Sequence, residues 1–238
     1  MKLDILVFAV HPDDAELGCS GTILKYIEAG KKVGIVDLTR GELGTRGTAE
    51  TRDIEAADSA KILGLHVREN LGIRDGFFRN DEAHQMEIIK MLRKYQPEIV
   101  LSNAMYDRHP DHGRAGDLVN DAIFLSGLLK VETRLQDESQ QPWRPRLNLQ
   151  FIQDTYIKPD IIVDITPFMD VKIQSIKAFK TQFYNPEIQE AETYISSPEF
   201  FESVYARARE FGKSIGATFG EGFTSRKLLG VEDIFQLR

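Results

Sequence analysis

Residues 8–22 read FAVHPDDAELGCSGT, where the end of an apolar run meets His11, Asp13 and Asp14. The run itself, DILVFAV (4–10), is short and unbroken, the pattern of a strand buried on both faces. The next stretch, AELGCSGTILKYIEAG (15–30), reads as a helix stopped at Gly30. In open parallel sheets, ligands bind beyond the carboxyl ends of the strands. An imidazole and two carboxylates at such a strand end therefore mark a candidate site.

The same alternation continues outward. KKVGIVDLT (31–39) reads as a second strand. Thr48 caps a helix with Ala56, Ala60 and Leu63 on one face, ending near Gly64. LHVREN (65–70) is a weaker third strand, and Asp81 caps a helix that places Ile88, Leu92 and Tyr95 in register and stops before Pro97. EIVLSN (98–103) is a fourth strand, and 112–129 reads as a helix carrying Ala115, Leu118, Ala122, Leu125 and Leu129. LNLQFIQ (147–153) and DIIVDI (160–165) are further strands. Thr166-Pro167 starts a helix through about Phe183, and Ser197-Pro198 another through about Ile215. The polar segments 131–146 and 184–198 read as long surface loops of the kind that cover sites. Strands alternating with helices predict an α/β, Rossmann-like, three-layer fold with a mainly parallel sheet, in one domain over 1–238.

Composition narrows the partners. Hydrophobic residues make up 42% and charged residues 28% of the 238, as in ordinary globular proteins. A net charge of -7 argues against nucleic acid and against an anionic membrane surface. It leaves room for a small anionic substrate held by local cations. The single cysteine, Cys19, excludes an intramolecular disulfide and fits a reducing cytoplasm. The opening MKLDILVFAV does not read as a signal peptide. No apolar run approaches the roughly 18 residues that a membrane span needs. A cytoplasmic protein is expected.

A second polar cluster, YDRHPDHG (106–113), comes after the fourth strand and holds His109, Asp111 and His112. Both clusters fall on one edge of the sheet. Two imidazoles and one carboxylate suit zinc with a position open for water, and ferrous iron accepts the same donors. The remaining carboxylate and imidazole are then free for acid–base work. Either motif alone also reads as a helix cap; two at matching positions favour a metal site. Arg108 abuts the second motif, and a guanidinium suits a substrate carboxylate.

AVHPDDAELGCSGTI and YDRHPDHGRAG, in this order, resemble the LmbE-like (PIG-L-type) zinc-dependent deacetylases. LTRGELGTRGTAETRDIEA (38–56), KPDIIVDIT (158–166) and GEGF (220–223) resemble the branch that deacetylates N-acetylglucosaminyl malate in bacillithiol synthesis. The resemblance implies that His11, Asp14 and His112 bind the metal and that Asp13 is the general base. It implies that His109 stabilises the oxyanion as an imidazolium and protonates the leaving amine, and that Asp111 orients a site histidine. Arg52 matches a substrate-contacting arginine. The Gly-rich stretch TRGELGTRGT (39–48) lacks a P-loop's Gly-Lys-Ser/Thr and by resemblance borders the site. Where some relatives place a tyrosine against the oxyanion, this chain has Phe200, with Tyr194 nearby. The resemblance also implies a homo-oligomer, a trimer or hexamer. Other N-acetylglucosamine derivatives, a thiol-sugar conjugate, or non-catalytic sugar or metal binding are the alternatives.

Cys19 is expected to pack, and His66 and His84 to be structural or solvated. Phe200, Phe201 and Tyr205 fit helical core spacing. Trp143 anchors its loop, lines a sugar site or meets a second subunit.

Overall fold

The alternating apolar runs become a seven-stranded sheet in the computed structural model, which describes residues 1–236. In chain order the elements are β1 (Ile5–Ala9), α1 (Asp14–Glu28), β2 (Val33–Asp37), α2 (Ala49–Leu63), β3 (Val67–Asn70), α3 (Glu82–Tyr95), β4 (Ile99–Asn103) and α4 (Pro110–Ser126). Next come a small hairpin of β5 (Arg134–Leu135) and β6 (Glu138–Ser139), then β7 (Leu147–Phe151), β8 (Ile161–Asp164), α5 (Met169–Lys177), α6 (Pro198–Ser214) and β9 (Gly220–Thr224). The strand order is β3-β2-β1-β4-β7-β9-β8. The first five strands run parallel, and β9 is antiparallel to both its neighbours.

β1 shows how the layers form. All five of its residues are buried. Leu6 and Phe8 pack with Ile88, Leu92, Leu118 and Ala122 of α3 and α4. Ile5, Val7 and Ala9 face the other way, toward Cys19 and Ile23 of α1 and Leu63 of α2. A third apolar cluster joins α5 and α6 through Ile173, Phe179, Phe183 and Phe200. Gly18 lets α1 approach the sheet closely, since a Cβ there would collide with the Phe151 ring.

The predicted caps Thr48 and Asp81 are present and accept from Thr51 N and His84 N. Gly64 closes α2 in the left-handed region at φ 70°. Three boundaries differ from the sequence expectation. The helix expected over 166–183 is a 3₁₀ turn, Thr166–Phe168, continued by α5, which ends at Lys177. Beyond it, Thr181 donates its N–H and hydroxyl to the Glu55 carboxylate rather than continuing a helix. The helix expected over 112–129 starts two residues earlier, with Pro110 in its first turn, and ends at Ser126. β9, GEGFT, was not expected as a strand, because glycine weakens a strand signal. It forms because it pairs on both edges, with β7 and β8.

The 131–146 segment is folded down rather than loose. Gln136 and Asp137 both have positive φ, as a tight two-residue hairpin requires. Trp143 donates Nε1–H to Pro97 O at 2.8 Å, and Lys2 Nζ lies over its ring, so it anchors this loop. Among the described residues, no helix is long and apolar enough to cross a membrane.

Candidate active site

β1 and β4 lie side by side, Ile5 beside Ile99 and Phe8 beside Ser102. From β1 the chain runs to β2 on one side and later reaches β4 on the other. This reversal of strand order opens a crevice beyond the strand ends. The two motifs, placed just after β1 and β4, meet there.

Asp14 is the centre of the site and is almost wholly buried. Its Oδ2 accepts from His11 N at 3.0 Å and Asn103 Nδ2 at 3.1 Å, and its Oδ1 from Gln153 Nε2 at 2.8 Å. His11 Nδ1 lies 3.6 Å from Asp14 Oδ2, and His112 Nε2 lies 3.3 Å from Asp14 Oδ1. The other ring nitrogens have their own carboxylates. His11 Nε2 pairs with Asp75 Oδ1 at 3.0 Å, and His112 Nδ1 with Asp107 Oδ2 at 2.8 Å. A carboxylate holds the proton on one nitrogen and turns the other lone pair toward an ion, the usual arrangement around metal-bound histidines. The donor set His11, Asp14 and His112 therefore fits a zinc-type ion. His11 also groups with Asp75 and Asp111, and with His109 and His112, with ligand atoms within 4.8 Å. In the first of these groups the carboxylates lie on the orienting nitrogen of His11.

Charge reflects this geometry. Burial disfavours the Asp14 carboxylate, but His112 and His11 outweigh it and hold its carboxyl well below the ordinary range. Burial also opposes the charge on His112, yet Asp14 and Asp107 overcome it and push it up to about 9. A bound cation takes the place of these protons.

Asp13 opens α1 at φ 136° and ψ −21°, a strained conformation for a residue with a side chain. It makes no side-chain cap bond. Its Oδ2 instead accepts from Arg52 Nη2 at 2.9 Å. Burial pushes the Asp13 carboxyl up to about 7, against the pull of Arg52. That value suits a general base near neutrality. Arg52, expected at the substrate, also has partners within the protein. It borders the cleft, and its guanidinium donates from Nη2 to Asp13 and to Pro12 O at 2.5 Å and from Nη1 to Gly41 O at 3.4 Å, while Nε has no partner among the described residues. It buttresses Asp13 and the Gly-rich loop.

His109 is the N-cap of α4, and its Nδ1 accepts from Asp111 N at 3.3 Å. The neutral ring then carries its proton on Nε2. Burial, with His11 and His112 close by, lowers its pKa. Asp111 is fully buried, accepts from Gly76 N and Arg114 Nη1 at 2.8 Å each, and lies 3.8 Å from His11 Nε2. Arg108 sits at the mouth, its Nε on Asp154 Oδ2 at 2.9 Å and its guanidinium 4.5 Å from the Tyr194 ring centre. Tyr194 donates to Asp154 Oδ1 at 3.1 Å, while Phe200 packs inward on Phe183.

The cleft has a volume of about 330 Å³ and is walled by Leu43, Gly44 and Thr45 on one side and Thr193, Tyr194 and Ile195 on the other. The Gly-rich stretch 39–48 and the 184–198 segment thus border the site, whereas no residue of 131–146, expected as a covering loop, lines the cleft, because Trp143 anchors that segment on Pro97 instead. They are tied together where Gly47 N donates to Glu190 Oε2 at 2.9 Å. The residues that sequence reasoning missed are the holders: Asp75, Asp107, Asn103 and Gln153. Asp107 lies inside the quoted motif, five residues before His112; the others carry no spacing signal. Cys19 is buried among apolar residues, His66 Nδ1 accepts from Val33 N, and His84 pairs with Asp81, so all three are structural.

A family profile described as GlcNAc-PI de-N-acetylase (PIG-L) matches residues 6–123. The chain is 28% identical over 229 residues to the diacetylchitobiose deacetylase of Thermococcus kodakarensis, covering 92% of this chain and 81% of that one. It is 25% identical over 195 residues to a probable N-acetyl-alpha-D-glucosaminyl L-malate deacetylase 2 of Bacillus subtilis, covering 76% and 84%. It superposes on the crystal structure of the conserved protein TT1542 from Thermus thermophilus with a TM-score of 0.85 and 34% identity, over 97% and 98% of the two chains. The profile spans both strands that bear the motifs, and the likeness to TT1542 runs nearly end to end: the chain belongs to the PIG-L, or LmbE-like, family.

Proposed function

We propose that this chain is a metal-dependent N-deacetylase of N-acetylated amino sugars, with N-acetylglucosaminyl malate as its substrate and zinc as its metal. One observation carries the reading: two histidines, each held by a carboxylate, converge on Asp14 beside a second aspartate whose carboxyl titrates near neutrality. His11, Asp14 and His112 would hold the ion. When bound, it supplies the Lewis acidity that polarises the acyl carbonyl and lowers the pKa of water toward about 7.

The side chains do the rest. Asp13 Oδ2 is fixed by Arg52, which leaves Oδ1 to take the proton of the attacking water. His109 donates from Nε2 to the developing oxyanion. Burial lowers its pKa, so it is taken as a neutral donor where the resemblance implies an imidazolium. Asp13 then returns its proton to the leaving nitrogen. Asn103 and Gln153 keep Asp14 from rotating out of the site. Arg108 can leave Asp154 for a substrate carboxylate, as the malate moiety requires. A single domain, a cytoplasmic location and a homo-oligomer complete the proposal.

The test is acetate release from N-acetylglucosaminyl malate and free N-acetylglucosamine side by side. Strong release from the conjugate and little from the free sugar supports the substrate. Release from the free sugar alone keeps the deacetylase and overturns the malate assignment.

A further inference from the structure

A second, smaller cavity of about 50 Å³ adjoins the cleft. Leu17, Arg108, His112, Gln153 and Ile195 line both spaces, whereas His11, Asp13 and His109 line only the cleft. The chamber therefore lies on the His112 and Gln153 side of the site, away from the base. Ile152, Phe200, Val204, Ala208 and Phe211 give it an apolar wall, beside which Asp154, Ser203 and Arg207 also line it. The charges at its floor are matched, Lys172 Nζ lying 2.8 Å from Glu221 Oε1.

An amide carbonyl held at this site carries two substituents. The nitrogen bears the sugar, which needs the wide polar cleft. The acyl carbon bears a chain, which is left with the apolar chamber. A water-sized group occupies roughly 10–15 Å³ of such volume. The chamber thus has room for on the order of three to five groups, where acetyl brings one methyl.

We propose that this chamber is an acyl subsite that admits chains longer than acetyl, so that the enzyme also hydrolyses N-propionyl and N-butyryl amino sugars. The proposal rests on the deacylase reading above. In the reaction the amide C–N bond breaks and the water oxygen bonds to the acyl carbon. The products are a short-chain carboxylate and the protonated amino sugar. No oxidant or second substrate is needed. Each methylene buried in the chamber tightens binding by about fourfold.

The experiment compares the metal-loaded enzyme on the N-acetyl, N-propionyl and N-butyryl forms of glucosaminyl malate, in wild type, Ala208→Leu and Val204→Phe. Both substitutions fill the chamber. Wild type is expected to hydrolyse the butyryl amide within about tenfold of the acetyl amide, with a lower KM. In both variants the butyryl-to-acetyl ratio of kcat/KM is expected to fall at least about tenfold, with circular dichroism unchanged. Acetyl release with butyryl hydrolysis more than roughly a hundredfold slower in wild type overturns the subsite and leaves the deacetylase reading standing. If no amide is hydrolysed, that reading falls. Calorimetric binding then decides the chamber: tighter binding of the N-butyryl than of the N-acetyl conjugate, with the difference lost in Ala208→Leu, supports it, and equal affinities overturn it.

Discussion

Asp13 carries the most information per residue. Its strained backbone turns the carboxylate away from the helix it begins and onto Arg52. Burial raises the Asp13 pKa and Arg52 opposes that rise. Removing the guanidinium therefore favours the protonated, inactive form. In Arg52→Ala, the acid limb of the kcat/KM profile is expected to move to higher pH than in wild type. A limb that moves up by one pH unit lowers the rate about tenfold at any pH below it. Arg52→Lys restores part of the wild-type position; a limb that stays where it was would contradict the coupling. Asp107 is a second case. It orients His112 and is held at about pKa 2 despite burial, because His112 shares its proton. Asp107→Ala is expected to weaken zinc affinity by about 10–100-fold, read by competition with a chromophoric chelator. The residues proposed for metal and acid–base work could be singled out because their motifs sit directly after strand ends. Arg52 and Asp75 could be named only by resemblance or not at all, because their partners lie 39 and 64 positions away.

The elements show the same division between local and distant signals. Helix caps at Thr48 and Asp81 and the stop at Gly64 depend on neighbours within a few residues, and they were legible. β9 and the end of α5 depend on distant pairings, with β7, β8 and Glu55, and were not. α1 offers a test of close packing. Helix propensity alone favours Gly18→Ala by about 1 kcal/mol. The Cβ, however, would run into the Phe151 ring. Overpacking of this kind costs about 1–3 kcal/mol. Gly18→Ala is expected to lower the denaturation midpoint in urea; a raised midpoint would show that the ring moves freely.

At the scale of the whole molecule, the site is assembled from both sides of the β1–β4 crevice and closed by two loops. A metal that binds only this assembled form stabilises it by mass action, about 4 kcal/mol at a thousandfold excess over Kd. For a chain of this size that corresponds to about 8–16 °C in melting temperature. Chelation is expected to lower the Tm of wild type by that order and to leave His112→Ala unmoved. An equal change in both would place the metal elsewhere.

The most direct measurement is acetate released from N-acetylglucosaminyl malate as zinc is titrated back into metal-free protein. Release is expected to rise with bound zinc and level off at one ion per chain. Asp13→Ala is expected to bind the same zinc while losing about 10²–10⁴-fold in turnover. Full turnover by metal-free protein, or by Asp13→Ala, would contradict the account.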